Sequence, residues 1–148
     1  MSDIKVASGD ELNTADAYAI LRLRVDVFVV EQECPYPELD GKDLLASTRH
    51  FWIEAEDAAE GVLGCLRVLV EPDVGYRIGR VCTSEKARGS GLAARLMAAA
   101  LDVIGDAESV LDAQTYATGF YAKFGYLTVG SEYLEDGIPH ITMRRPAA

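Results

Sequence analysis

The stretch of sequence that decides the fold lies at positions 80–93 and reads Arg80-Val81-Cys82-Thr83-Ser84-Glu85-Lys86-Ala87-Arg88-Gly89-Ser90-Gly91-Leu92-Ala93. It predicts a strand, a polar loop and then two glycines at the start of an amphipathic helix over residues 91–104. Glycines there let the backbone approach a ligand, and the first helical amides have no partners within the helix. With the helix dipole and Arg88, these amides predict an anion site suited to a pyrophosphate.

Two familiar phosphate-binding motifs do not account for this segment. It contains no G-x-x-x-x-G-K-[ST] sequence and no G-x-G-x-x-G that opens a βαβ unit. Capping of a helix by glycine is the purely structural alternative.

Charge is distributed unevenly around this segment. The 148 residues carry a net charge of −10, but residues 1–60 hold 14 acidic and 5 basic side chains, a net of −9. Residues 77–95 hold five basic side chains and one acidic side chain, a net of +4. A solvated helix face is one explanation, and an anion site is the other. The overall negative charge argues against nucleic acid as a partner, because phosphate contacts dominate such binding.

Length and composition predict one soluble globular domain over residues 1–148. Hydrophobic residues make up 49% of the chain and charged residues 26%, which are ordinary values for a folded protein. The start lacks a signal-peptide pattern, and no apolar run approaches the roughly 18 residues of a membrane span. Three widely spaced cysteines without a CxxC pair make a disulfide framework or a metal site improbable. We therefore expect a cytoplasmic protein without membrane contact.

Periodicity along the chain predicts an α/β (α+β) fold. The predicted strands are 4–8, 49–55, 62–71, 77–83, 109–113, 126–135 and 138–143, and the predicted helices are 15–30, 91–104 and 118–124. Asp136-Gly137 is a strong signal for a hairpin turn between the last two strands. The resulting order, β-α-β-β-β-α-β-α-β-β, predicts a mixed, mostly antiparallel central sheet flanked by helices.

The segment at 80–93 resembles the acetyl-CoA signature Q/R-x-x-G-x-G/A of the GNAT superfamily of N-acetyltransferases. Arg88, Gly89, Gly91 and Ala93 are in register with it. Three further stretches resemble the ElaA-like branch of that superfamily, namely residues 27–36, 40–43 and 133–141. The resemblance covers nearly the whole chain.

This resemblance implies a binding mode for acetyl-CoA. The pantetheine arm pairs with backbone groups of the strand before the loop, here Val81, Cys82 and Thr83. The pyrophosphate lies on the loop and the first helical turn, here Arg88, Gly89, Ser90, Gly91, Leu92 and Ala93. No metal is implied.

The implied reaction is attack of an amine on the acetyl carbonyl, with departure of the CoA thiolate. The backbone amide of Val81 is the candidate donor to the carbonyl oxygen. Tyr121 lies in a sequence that resembles the superfamily's Y-x-x-x-G-F element, and a phenol with a pKa of about 10 can protonate the departing sulfur. Packing of Tyr121 at the surface is the structural alternative.

The general base is less well defined by the sequence. Some superfamily members carry a carboxylate on the strand before the loop, but residues 76–83 contain no Asp, Glu or His. The candidates elsewhere are Glu31, Glu135 and His140, and a chain of water molecules is another route. His140 and His50 can also be hydrogen-bonded core residues, and for His50 the core role is favoured.

The loop at 31–43 is the predicted acceptor side of the cleft. It carries five carboxylates and Lys42, so it is either a solvated loop or a surface that concentrates a cationic amine. Arg24, Glu31 and Tyr36 are the candidate substrate-binding residues, with Trp52 a further pocket member, although Arg24 can equally form a structural ion pair.

These features predict an enzyme that transfers acetyl from acetyl-CoA to a small-molecule or peptide amine by direct attack in a ternary complex. A CoA-binding module without turnover and an interaction protein that uses the acidic loop are the alternatives. A homodimer is compatible with the sequence. Cys82 is expected to be a core thiol.

Overall fold

The computed structural model describes residues 3–148. Met1 and Ser2 lie outside the described residues. The predicted domain and the start of the chain, where no signal-peptide pattern was found, both include these two residues.

One sheet organises the described part of the chain. Residues 3–148 contribute seven strands to it, in the order β1-β2-β3-β4-β5-β7-β6. The strands are β1 (Ile4–Ser8), β2 (Arg49–Glu54), β3 (Val62–Glu71), β4 (Gly75–Thr83), β5 (Ser109–Gln114), β6 (Leu127–Glu135) and β7 (Ile138–Arg145). β4 and β5 run parallel, whereas the other neighbouring strands are antiparallel. The predicted mixed, mostly antiparallel sheet is confirmed.

Helices cover both faces of the sheet. The α-helices are α1 (Thr14–Arg24), α2 (Leu92–Ile104) and α3 (Thr118–Ala122). One apolar cluster packs α2 against residues such as Phe51 and Ile53 of β2, and a second packs α1 against Trp52 of the same strand. Successive residues of β2 thus point to opposite faces of the sheet, as the twofold period of a strand requires.

The first helix differs from its predicted form. The sequence predicts one helix over 15–30, but α1 ends at Arg24 and a π-helical segment, Val25–Glu31, follows it. Four of the seven residues in this segment are valines, which favour the α-helix less than unbranched residues do. The wider turn changes which side chains face the sheet after Arg24.

The position of the site follows from β4. This strand pairs with β5 only through Tyr76 with Ser109 and Arg77 with Val110. Beyond these pairs β4 and β5 are no longer joined by hydrogen bonds, and a cleft opens between the two strands.

Candidate active site

A β-bulge interrupts β4 at the cleft. Cys82 of β4 pairs with Cys65 of β3, and Gly79 pairs with Arg67. Arg80 and Val81 therefore lie opposite the single residue Leu66, so the strand bends there. Arg80 adopts a positive φ of 54°, which is uncommon for a residue other than glycine. The bulge re-aims the backbone of β4 beside the cleft.

A glycine loop lies at the end of β4. Gly89 and Gly91 have φ values of 80° and 81°, and a side chain at either position would meet open space. Glycine is therefore required by backbone conformation and not by crowding. Gly91 caps α2 without a side-chain hydrogen bond, so the first amides of α2 are available to an anion. The geometry fits the pyrophosphate that the sequence predicts for this loop.

A cleft of about 760 Å³ runs from this loop between the splayed strands. A smaller pocket of about 280 Å³ adjoins it at the glycine loop. Most of the predicted site residues line the large cleft: Glu31, Tyr36, Val81, Cys82, Thr83, Arg88, Ala93, Tyr121, Glu135 and His140. Gly89, Gly91 and Leu92 line the smaller pocket. Ser90 belongs to the same loop, and its hydroxyl donates to the carbonyl of Ala87.

His140 and Glu135 form a pair on the β6–β7 hairpin. His140 Nδ1 lies 2.7 Å from the carbonyl oxygen of Ile138. Because a carbonyl can only accept, Nδ1 carries the hydrogen, and in the neutral ring Nε2 keeps its lone pair. Glu135 Oε2 is 3.7 Å from Nε2, and the ring stacks on Tyr133. The hydrogen bond thus selects the tautomer in which Nε2 can accept a proton.

Tyr121 packs at the cleft in an aromatic setting. Its ring makes edge contacts with Phe120 and Tyr126. Burial, followed by the nearby Tyr116 and Cys82, raises the pKa of Tyr121 well above its usual value. The phenol therefore stays protonated at neutral pH and can act as a proton donor.

A largely buried ion-pair network borders the cleft, and sequence reasoning missed most of it. Three arginines and three carboxylates take part: Arg24, Arg67, Arg80, Glu38, Asp40 and Asp43. Arg24 Nη1 is 2.6 Å from Asp43 Oδ1, and Arg67 Nη2 is 2.5 Å from Asp40 Oδ2. The only available signal was that Arg67 interrupts the apolar run at positions 62–70, since a buried charge requires a partner.

This network changes the role of Arg24. Its side chain is 1% exposed and is bound by Glu38 and Asp43. Arg24 therefore forms a structural ion pair, the alternative to substrate binding, and does not line the cleft. The loop at 31–43 is also less negatively charged than its sequence indicates, because arginines neutralise Glu38, Asp40 and Asp43. The expected acidic surface for a cationic amine is therefore mostly absent from this loop.

Two further predicted substrate residues line the cleft but are engaged within the protein. Glu31 binds Arg88, and the hydroxyl of Tyr36 donates to Glu38. Trp52 is 3% exposed in the core beneath α1. His50 is buried with Nε2 2.8 Å from the carbonyl oxygen of Asp43, as its favoured core role requires.

Cys82 has the character of a core thiol. Its Sγ lies 3.7 Å from that of Cys65, and this contact, together with burial, raises the pKa of Cys82 well above its usual value. A thiol with a raised pKa is a poor nucleophile, because the thiolate is the reactive form.

Residues 3–148 contain neither a cluster of metal-ligating side chains nor a membrane-spanning helix. No three His, Cys, Asp or Glu side chains in this range lie together so that they could hold a metal ion. No helix in the same range has the length and apolar character of a membrane-spanning segment.

Comparisons with known proteins assign the family. A family model described as an acetyltransferase (GNAT) domain matches residues 25–146. The chain belongs to the GNAT family. It is 51% identical over 142 residues to the UPF0039 protein Rv2851c of Mycobacterium tuberculosis H37Rv, covering 93% of this chain and 89% of that protein. It is 40% identical over 146 residues to Protein ElaA of Escherichia coli K12, covering 91% of this chain and 90% of that protein.

A solved structure supports the same assignment. The crystal structure of an acyl-CoA N-acyltransferase from Pseudomonas aeruginosa matches with a TM-score of 0.90 and 40% identity, over 98% of this chain and 99% of that chain. The GNAT resemblance and its ElaA-like branch are thus confirmed. The family and fold are those of proteins that transfer acyl groups from acyl-CoA.

Proposed function

We propose that the protein transfers an acetyl group from acetyl-CoA to the amine of a small molecule or peptide. The attack is direct, in a ternary complex, without a covalent enzyme intermediate. The observation that carries the proposal is that one cleft is lined by the β4 bulge, by Tyr121 and by His140, whose Nδ1 is bound to the carbonyl of Ile138.

The glycine loop and the bulge orient the acyl donor in this proposal. Amides of Gly89–Ala93 and the guanidinium of Arg88 hold the pyrophosphate, and β4 residues Val81 and Thr83 pair with the pantetheine arm. The Val81 amide donates to the acetyl carbonyl oxygen, where negative charge develops during attack. Positioning of this kind accounts for a large share of catalysis in bimolecular group transfer.

Proton transfer is assigned to two side chains. His140 Nε2 accepts a proton from the attacking amine, and Glu135 stabilises the imidazolium that forms. Tyr121 donates its proton to the CoA thiolate as the carbon–sulfur bond breaks. The acetyl group moves to nitrogen, one proton moves from the amine to His140 and one moves from Tyr121 to sulfur. Return of the proton from His140 to the Tyr121 phenolate through solvent restores both groups.

The acceptor end of the cleft supports an amine. Glu135 and Asp136 line it, and Arg77, a basic residue of β4 that lines the same cleft, is bound by both Glu71 and Asp112. The two carboxylates give this end of the cleft a negative charge that attracts a cation. The three free cysteines fit the reducing cytoplasm as the compartment, and a homodimer stays a prediction.

The test is thiol release from acetyl-, propionyl- and butyryl-CoA with polyamines, aminoglycosides and peptides as acceptors. Product mass identifies the group transferred. We expect release that requires an amine and is fastest with acetyl-CoA. Tight binding of acetyl-CoA with no turnover on any amine would overturn the proposed enzymatic activity and indicate a CoA-binding module.

A further inference from the structure

The backbone conformation of the bulge carries a cost that something else in the structure must offset. Arg80, with its φ of 54°, occupies a region that L-residues with a Cβ populate rarely. Such conformations persist only where the surrounding structure over-determines them, and they cluster at functional sites. The neighbouring amide, that of Val81, is the one to which the proposed function assigns the acyl carbonyl.

The side chain of Arg80 is held by Glu38 and Tyr36, and Asp40 Oδ2 lies 3.6 Å from its Nη2. Arg80 Nε lies 2.9 Å from Glu38 Oε2, and Nη2 donates to the carbonyl oxygen of Glu38 at 3.1 Å. The guanidinium also lies over the ring of Tyr36, at 5.9 Å from its centroid. Both a side chain and a backbone group of one residue, Glu38, therefore hold Arg80.

Glu38 is in turn a fixed anchor. Its side chain is 3% exposed, and Oε2 also accepts from Arg24 Nε at 2.6 Å. Arg24 is held on its other side by Asp43. The hydroxyl of Tyr36 donates to the second carboxylate oxygen of Glu38. The carboxylate is thus saturated by partners from α1, from β4 and from its own loop, which leaves it little freedom to move.

We infer that Glu38 is a positioning residue that fixes the β4 bulge through Arg80 and so aims the Val81 amide at the acyl carbonyl. Glu38 touches no substrate in this scheme. The inference rests on the proposed function, because it assigns a cause to the carbonyl alignment which that function requires. It gives the loop at 31–43 a role different from contact with the amine acceptor.

The inference is tested with Arg80→Asn. Asparagine tolerates a positive φ better than most residues, so the backbone shape remains accessible while the anchor to Glu38 is lost. The side chain of Arg80 is 22% exposed, whereas that of Glu38 is 3% exposed. Arg80→Asn therefore disturbs the buried network less than Glu38→Gln does. Arg49→Asn, at an exposed position of β2, is the control for the loss of one arginine.

The readout is the ¹³C chemical shift of the carbonyl in bound [1-¹³C]acetyl-CoA, measured without an acceptor. A hydrogen bond that polarises the carbonyl moves this shift away from its value in free acetyl-CoA. We expect Arg80→Asn to bring the shift back toward the free value, while Kd for CoA stays within about threefold because the glycine loop is intact. With an active acceptor, kcat falls by about 10-fold or more and KM for acetyl-CoA changes little.

The variant Glu38→Gln tests whether Glu38 acts through Arg80. If Glu38 acts through Arg80, the double variant Glu38→Gln/Arg80→Asn shows the same carbonyl shift as Arg80→Asn alone, because the two effects are not additive. Should Glu38→Gln fail to fold, Arg80→Asn decides alone. If bound acetyl-CoA has the same carbonyl shift in Arg80→Asn as in the wild type, the inference is overturned and the proposed function is unaffected. A wild-type protein that binds no acetyl-CoA would overturn both.

Discussion

Arg88 Nη2 lies 2.6 Å from Glu31 Oε2, which joins the glycine loop to the end of the π-helical segment across the cleft. The sequence assigned these two residues to different ligands, Arg88 to the pyrophosphate and Glu31 to the acceptor. Arg88 also donates to the carbonyl oxygen of Thr83 at 3.2 Å. A phosphate that binds Arg88 therefore competes with Glu31 for the same guanidinium.

Removal of the Glu31 charge tightens CoA binding. Glu31→Gln frees Arg88 and removes a negative charge near the pyrophosphate, so we expect Kd for CoA to fall by about two- to fivefold at low salt, the range of an exposed ion pair. The effect shrinks at high salt because the pair is exposed. Calorimetric titration measures it, with Glu33→Gln as the control of equal charge change. Weaker binding by Glu31→Gln would contradict the competition.

Loss of the Tyr121 hydroxyl slows turnover more than it weakens binding. Tyr121→Phe keeps the edge contacts with Phe120 and Tyr126 but removes the proton donor. We expect kcat to fall by about 100-fold, as for a general acid, with KM for acetyl-CoA within threefold. Steady-state thiol release gives both constants. Unchanged kcat would remove Tyr121 from the acid role.

Replacement of His140 separates the two candidate bases on the hairpin. His140→Asn should lower kcat by about 100-fold or more, whereas Glu135→Gln, which removes only support for the imidazolium, should cost about 10-fold or less. Glu132→Gln, on the exposed strand β6, is the control. A Glu135→Gln variant without activity, beside an active His140→Asn variant, would transfer the base role to Glu135.

Acid should destabilise the protein in two stages. Burial lowers the pKa of His50 below its ordinary 6.5, so the unfolded state takes up a proton first and stability falls as the pH drops below about 6.5. The Arg67 guanidinium holds the pKa of Asp40 well below its usual range. Burial would raise the pKa of Asp43, but Arg24 and Arg67 keep it low. The stability from these carboxylates is present above their usual pKa near 3.8 and is lost as the pH falls below it.

Urea denaturation at pH 7, 5 and 3.5 measures both stages. We expect His50→Gln to flatten the loss of unfolding free energy between pH 7 and 5, by at most about 1.4 kcal/mol per pH unit. The loss below pH 4 should remain in this variant. Equal slopes for the variant and the wild type between pH 7 and 5 would contradict the role of His50.

Much of the fold could be predicted because local patterns and long-range contacts agree. β1 and β3 have the predicted bounds, since each lies between clear turn or loop signals. Asp136-Gly137 forms the predicted hairpin turn, with positive φ at both residues. The end of α1 was not predictable, because an apolar period alone does not separate an α-helix from a π-helical continuation.

The site was predictable where chemistry lies within one segment. Loop residues Arg88 to Ala93 are contiguous, so their motif is visible in the sequence. The partnership of Glu38 with Arg80 joins residues 42 positions apart, and that of Glu31 with Arg88 joins residues 57 apart. Such pairs arise only from the fold, so a loop that appears acidic in the sequence is largely neutralised in the structure.

The most direct test of the central claim, that the glycine loop after β4 holds acetyl-CoA, is calorimetric titration of the wild type and of Arg88→Ala/Gly91→Glu with acetyl-CoA. Gly130→Glu is the matched control, because Gly130 also has a positive φ and open surroundings but lies on the exposed strand β6. We predict binding by the wild type and by Gly130→Glu, and no measurable binding by the folded double variant. Equal affinity of the double variant and the wild type, or no binding by the wild type, would contradict the account.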